Sequence, residues 1–309
     1  MIRLNEIEHK IALIANPHLG YPVENIDLEG PTLEFIESNK LSLLLKKKGI
    51  EIETAKREEE RHKYLMDELC ELKHAFDDYG VDFVLIKFPE LPRPHGDLDV
   101  LLCKDVKSAE HLLKSKGYIL DNDRDPYRKK YVKSVNGTTW EVDLHLEAAW
   151  GGIVYLNKEE VWKYCIKREI NGVDIPVPSP EYEVLIAAAH GMRENKITLF
   201  DVLYVYSLLK EKKVDMDFIR DVAKRNNWVK QLDYFIHLIN RIYGELYDES
   251  GNHSRIKELP FRFPVYTIGK LKLQKAILDL RYCGIRRGIK DLKALCYFDG
   301  AGFLKRIRR

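Results

Sequence analysis

The apolar positions of this chain change period several times, and each change predicts an element. Over 56–79, Leu65, Leu69, Leu72 and Phe76 recur every three or four residues, the spacing of an amphipathic helix, and Gly80 stops it. The continuous run Val81–Lys87 suits a short buried strand, and a proline-rich turn from Phe88 to Pro94 leads to a second strand over 98–103. Helical spacing returns over 106–116, with Ala109, Leu112 and Leu113 on one side and Gly117 at the end. Residues 127–135 and 138–146 flank Asn136-Gly137, a two-residue hairpin signal. Helix, strand, strand, helix and hairpin together predict a small mixed sheet covered by helices over about 56–150.

The flanks read differently. Residues 1–50 predict short helices broken at Asn16-Pro17 and Gly30-Pro31. Ile175-Pro176-Val177-Pro178 reads as an extended link, and Ser179-Pro180 as a helix start. Helices follow at about 180–191, 198–211, 216–226 and 229–246, the pattern of a bundle. Basic helical character continues at 267–282 and 286–297. There is no internal repeat or low-complexity tract.

Composition adds a few bounds. The 309 residues are 45% apolar, enough for a sizeable core. The five cysteines have no metal-ligand spacing, and their odd number argues against a disulfide framework, so a cytoplasmic setting is expected. No apolar stretch is long enough to span a membrane, and MIRLNEIEHK lacks a long apolar region, so no secretory signal is expected. The net charge of +2 conceals an asymmetry. From His253 to Arg309 there are 15 basic residues against four acidic ones, a net of +11, so residues 1–252 carry −9. The basic tail is expected to meet an anionic partner: a nucleic acid, a membrane surface or the acidic body of the chain itself.

The densest chemistry lies at Gly96-Asp97-Leu98-Asp99-Val100-Leu101-Leu102. Asp97 and Asp99 share a strand face, roughly 6.5–7 Å apart along the backbone. Carboxylates beside an apolar run ask for a cation. In Trp140-Glu141-Val142-Asp143-Leu144-His145-Leu146, polar and apolar residues alternate, so Asp143 can face Asp97 and Asp99 if the strands adjoin. Three carboxylates from neighbouring strands could hold two magnesium ions, the arrangement used for phosphoryl or nucleotidyl transfer. His145 shares that face, where it could orient Asp143 or touch substrate. His95, His190 and Asp201 are further candidates, each with an ordinary structural reading beside the functional one. Trp140 and Trp150 read as core residues.

Lys87, then Arg93-Pro94-His95-Gly96-Asp97-Leu98-Asp99-Val100-Leu101-Leu102, with Val142-Asp143-Leu144-His145 later, resembles the uncharacterised nucleotidyltransferase group of the DNA polymerase β superfamily. Ala188-Ala189-His190-Gly191, Leu199-Phe200-Asp201-Val202-Leu203 and Leu208-Leu209 are similar to the helices that follow its catalytic domain. The resemblance covers about 60–245. It implies an α+β chain: the minimal nucleotidyltransferase fold plus a C-terminal helical bundle. The expected division is a helical segment (1–55), a catalytic domain (56–175), a bundle (176–250) and a basic extension (251–309). It also implies Asp97, Asp99 and Asp143 as catalytic metal ligands for magnesium, with manganese as a substitute. An NTP and a hydroxyl acceptor (small molecule, RNA or protein) would be the substrates. The wider superfamily carries Gly-Ser before the acidic pair, and this chain does not. Lys87, Arg93, Gly96 and His145 are the expected nucleotide contacts. The alternative is a module of the same fold that binds nucleotide or nucleic acid without turnover.

Overall fold

The computed structural model describes residues 4–23, 28–122, 125, 127–135, 137–150, 153–194, 196–212, 214–247 and 261–262. Apart from 261–262, the basic extension and its expected helices lie outside the described residues, as does Asn136.

Three short helices open the chain: α1 (Glu6–Ala15), α2 (Pro31–Ser38) and α3 (Ser42–Lys47). Asn5 and Glu8 cap α1 reciprocally, each side chain accepting the other's backbone N–H at 2.8 Å. Helix α4 (Glu53–Asp78) is the amphipathic helix expected at 56–79, and Gly80, at φ 66°, supplies the left-handed residue that turns the chain after it.

A five-stranded sheet follows, built from β1 (Phe83–Ile86), β2 (Asp97–Leu102), β3 (Ile119–Asn122), β4 (Arg128–Val135) and β5 (Thr138–His145), with α5 (Val106–Ser115) between β2 and β3. The strand order is β1-β2-β5-β4-β3. Strands β2 and β5 run parallel, and the other pairs are antiparallel. Pairing across the expected hairpin runs from Val135↔Thr138 to Arg128↔His145.

The two faces of the sheet have different cover. Phe83, Leu85, Leu98, Val100, Val142 and Leu144 pack with Leu65, Leu69, Leu72 and Phe76 of α4 and with Leu112 and Leu113 of α5. Val84, Ile86 and Leu101 point to the other side, into a cluster shared by the N-terminal helices and the C-terminal bundle. Burying each such side chain contributes about 1.5–3 kcal/mol, so both faces are firmly clamped. A sheet covered on both sides explains why β2 reads as an apolar run; its acids are the exceptions.

Next come the hairpin β6 (Ala148–Trp150) and β7 (Ile153–Leu156), helix α6 (Lys158–Lys163), and the hairpin β8 (Cys165–Ile170) and β9 (Val173–Pro178). The expected link at 175–178 is extended, but it is the second strand of a hairpin, paired from Ile170↔Val173 to Cys165↔Pro178. Its turn, Asn171-Gly172, has φ 49° and 77°, the two positive values that a two-residue hairpin turn requires. The bundle is α7 (Pro180–Glu194), α8 (Leu199–Glu211), α9 (Met216–Arg225) and α10 (Val229–Tyr247). The two-residue strands β10 (Lys196–Ile197) and β11 (Phe261–Arg262) pair beside it. Among the described residues no helix is long and apolar enough to cross a membrane.

Candidate active site

The parallel pairing of β2 and β5 sets Asp97 opposite Glu141, Asp99 opposite Asp143, and Leu101 opposite His145. Because Leu98, Val100, Val142 and Leu144 face α4 and α5, the acids and His145 face the bundle. Asp99, Asp143 and His145 are 6%, 2% and 2% exposed, so their charges need partners inside the protein. Their potential ligand atoms all lie within 4.8 Å of one another.

Two cations answer the two buried acids. Lys87 Nζ lies 2.5 Å from Asp99 Oδ1, and Arg128 Nη1 lies 2.6 Å from Asp143 Oδ2. His145 Nε2 is 2.8 Å from the same Asp99 oxygen. An ionised carboxylate only accepts, so Nε2 must carry the proton that it donates to Asp99. His145 therefore orients Asp99, where the expected partner was Asp143. Two atoms of the group remain buried without a partner, Asp143 Oδ1 and His145 Nδ1.

The electrostatics separate the two acids of the Asp-Leu-Asp sequence. Burial raises the pKa of Asp99, but the Lys87 ammonium and the His145 hydrogen bond outweigh it and hold the carboxyl well below the usual range. Asp97 is partly exposed. The charge of Asp99, then burial, push its pKa up to about 6, with Asp143 adding to the rise and Lys87 and Arg93 opposing it. The three expected acids thus share one field, although the tight group is Asp99, Asp143 and His145. Hard carboxylate oxygens, one of them orphaned, fit magnesium or manganese.

Lys87 stands just past β1 with φ 58°. A left-handed backbone at a residue with a Cβ costs about 1–2 kcal/mol, strain that is typical of functional positions. From there Lys87 also lines a cleft between the loop that follows β1 and the bundle. Arg93, His190, Lys196, Asp201 and Phe235 line the same cleft. The Arg93 guanidinium carbon lies 5.8 Å from the centre of the Phe200 ring. His190 is held well below its ordinary pKa by burial first, then by Lys87, Arg93 and Lys40, and is therefore neutral at pH 7. Asp201 turns inward to its own helix, where Oδ2 accepts the Thr198 N–H at 2.8 Å.

The loop between β1 and β2 is pinned from two sides. The Gly96 carbonyl accepts from Arg61 Nη2 at 2.8 Å, and the Phe88 carbonyl accepts from Arg168. His95 stacks on Phe88 at 4.5 Å and on His62 at 5.6 Å. Burial, reinforced by Arg93 and His62, holds its pKa well below the ordinary value, so His95 is a neutral packing element of this loop. Trp140 stacks on Tyr64 at 4.0 Å, and Trp150 lies in the bundle-side core.

Arg128 was not among the residues expected from the sequence. Counting back from the Asn-Gly turn pairs it with His145, next but one to Asp143, so its position was within reach of the strand pattern. Lys40 and Lys196 carried no such signal, because a lone lysine in a connection resembles any solvated one.

The profile of a family described as uncharacterised nucleotidyltransferase matches residues 52–244, more than half of the chain. The chain belongs to this family. No curated protein and no solved structure matches it. The matched region contains the whole sheet, both buried acids, Lys87, Arg93 and helices α7 to α9. Helices α1 to α3 precede it.

Proposed function

We propose that this protein is a magnesium-dependent nucleotidyltransferase that moves a nucleoside monophosphate from an NTP to a hydroxyl acceptor. The observation that carries this reading is the Asp99–Asp143 register beside a cationic cleft, with Asp143 Oδ1 buried and unpartnered. Asp97, Asp99 and Asp143 would hold magnesium, or manganese in its place. The bound metal would neutralise phosphate charge and acidify the acceptor hydroxyl.

The chain's own groups do the rest. His145 fixes the orientation of Asp99, and Arg128 fixes that of Asp143. Lys87 and Arg93 draw the triphosphate into the cleft, Arg93 through two parallel N–H donors. The acceptor hydroxyl gives up its proton to the Asp143 carboxylate, the hydroxyl oxygen bonds to the α-phosphorus, the bond from the α-phosphorus to its bridging oxygen breaks, and pyrophosphate leaves. The bundle excludes water from the buried acids, which favours the acceptor over hydrolysis.

The test is pyrophosphate release from each NTP with magnesium. Asp99→Asn is expected to lower the rate by about a hundredfold to a thousandfold, as loss of one charge-stabilising group does. Equal rates in the wild type and the variant would sink the assignment. A second reading, a nucleotide-binding module without turnover, draws on the missing Gly-Ser pair and on the Lys87–Asp99 ion pair, which neutralises Asp99 without any metal. It requires NTP binding with no pyrophosphate release from any substrate.

A further inference from the structure

The cleft carries more positive charge than its carboxylates answer. Of its two carboxylates, Glu183 pairs with Arg168 at 2.9 Å and Asp201 accepts from Thr198, while Lys87 is matched by Asp99. Arg93 and Lys196 line the cleft, and Arg93 Nε is buried without a partner. A third cation comes from outside the family-matched region, in the turn after α2. There Asn39 is fully buried; its Oδ1 accepts the Leu199 N–H at 3.0 Å and its carbonyl accepts the Phe200 N–H at 3.2 Å. These bonds bolt the Asn39–Lys40 turn to the start of α8, beside the Phe200 ring on which Arg93 rests.

Lys40 is held there in a left-handed conformation, φ 58°. Burial first, then the charges of Arg93 and Lys196, lower its pKa, while Asp201 and Glu194 partly restore it. Both of those acids are engaged elsewhere. Asp201 Oδ2 accepts the Thr198 N–H and O–H at 2.8 and 2.7 Å, and Glu194 lies 3.2 Å from Arg193. Among the described residues, Lys40 and Lys196 reach no carboxylate in an ion pair. The first N–H groups of α8 are taken by Asn39 and Thr198, so an anion here must be held by side chains. Gathering like charges at a half-buried wall is unfavourable unless a multiply charged anion relieves it.

We propose that Lys40, Arg93 and Lys196 form a polyphosphate site that grips the two outer phosphates of an NTP and then the pyrophosphate product. Lys87 joins this wall to the acids, since it lines the cleft and touches Asp99. Lys87 thus links the acids to Arg93 and Lys196 in the same cleft, the direction a chain of phosphates would take. The assignment to an NTP rests on the proposed transferase activity; binding of the polyphosphate itself does not. It makes the N-terminal helical segment part of the site.

The experiment is calorimetric titration of the full chain with inorganic tripolyphosphate in EDTA. The wild type is expected to bind, and Lys40→Asn and Lys196→Gln each to weaken binding by about tenfold, the worth of one charge-assisted hydrogen bond. Asparagine tolerates a positive φ, so Lys40→Asn keeps the turn, and Lys40→Arg should bind within about threefold of the wild type. Unchanged melting temperatures show that the variants are folded. No binding by the wild type, wild-type binding by both variants, or orthophosphate binding as tightly as tripolyphosphate would each overturn the site. Asp99→Asn separates the two proposals: it should keep tripolyphosphate binding while losing turnover. A wild type that binds tripolyphosphate but releases no pyrophosphate from any NTP removes the transferase reading and leaves the polyphosphate site standing.

Discussion

Lys87 has two jobs that cannot be done at once. In this structure its ammonium neutralises Asp99, one of the acids proposed to hold the metal. A metal ion at Asp99 must displace it, and the freed ammonium then faces the cleft, where phosphate would be. Lys87→Met is therefore expected to destabilise the metal-free protein by about 3 kcal/mol, because it leaves a buried charge short of its partner. The same variant should gain more stability from magnesium than the wild type does, since the ion has no ammonium to displace. Urea unfolding of both proteins, in EDTA and in magnesium, checks both statements. A magnesium effect equal in the two proteins would exclude competition for Asp99. In the sequence Lys87 stood out as the lysine that ends the first strand, a position the family resemblance marks. Its left-handed backbone and its contact with Asp99 depend on where the loop turns, which strand periodicity does not encode.

At the scale of elements, α7 presents His190 to three cations, Lys87, Arg93 and Lys40, with Asp99 acting in the opposite sense. The folded state resists protonating this ring, whereas the unfolded chain takes up the proton near pH 6.5. Above that pH both states are neutral and no cost arises; below it the unfolded state binds more protons and stability falls. His95 acts with the same sign, and Asp97, raised to about 6, acts with the opposite one, because the folded state takes up its proton first. His190→Gln should thus flatten the decline in melting temperature between pH 7 and pH 5; an unchanged slope would remove His190 from this balance.

The periodic elements were legible: the long helix α4, the acidic strand, the Asn-Gly hairpin and the bundle helices all lie within a few residues of their expected places. The hairpin β8–β9 was not read, although Asn171-Gly172 carries the same turn signal as Asn136-Gly137. Pro176 and Pro178 made its second strand read as an extended link, yet strand prolines are tolerated where no ladder N–H is required. The partners of the acids were only half legible. Alternation placed Asp99, Asp143 and His145 on one face, but which acid His145 serves depends on side-chain reach across the sheet.

For the molecule as a whole, the bundle-side core does not respect the edge of the family-matched region. Ile11, Ile14, Phe35, Ile36, Leu44 and Leu45 of the N-terminal helices share one cluster with Val84, Ile86 and the bundle. Tyr247 donates to the Ala12 carbonyl at 3.1 Å, and Asn16 Nδ2 donates to Tyr243 Oη at 3.3 Å. Losing the burial of those six side chains removes roughly 10 kcal/mol, comparable to the whole stability of a domain. A chain beginning at Glu53 is expected to show no cooperative thermal transition by circular dichroism; a sharp transition near that of the full chain would refute this dependence. The pairing of β2 with β5 has a consequence for folding as well. A slip of one residue would turn Asp143 and His145 into the oily layer beneath α4 and α5 and lift Val142 and Leu144 into the cleft. An unanswered carboxylate in that layer is costly enough to reject the slipped sheet. The acid on β5 thus acts as a proofreader of chain alignment before any substrate arrives, and its replacement by a neutral residue would relax that check along with the chemistry.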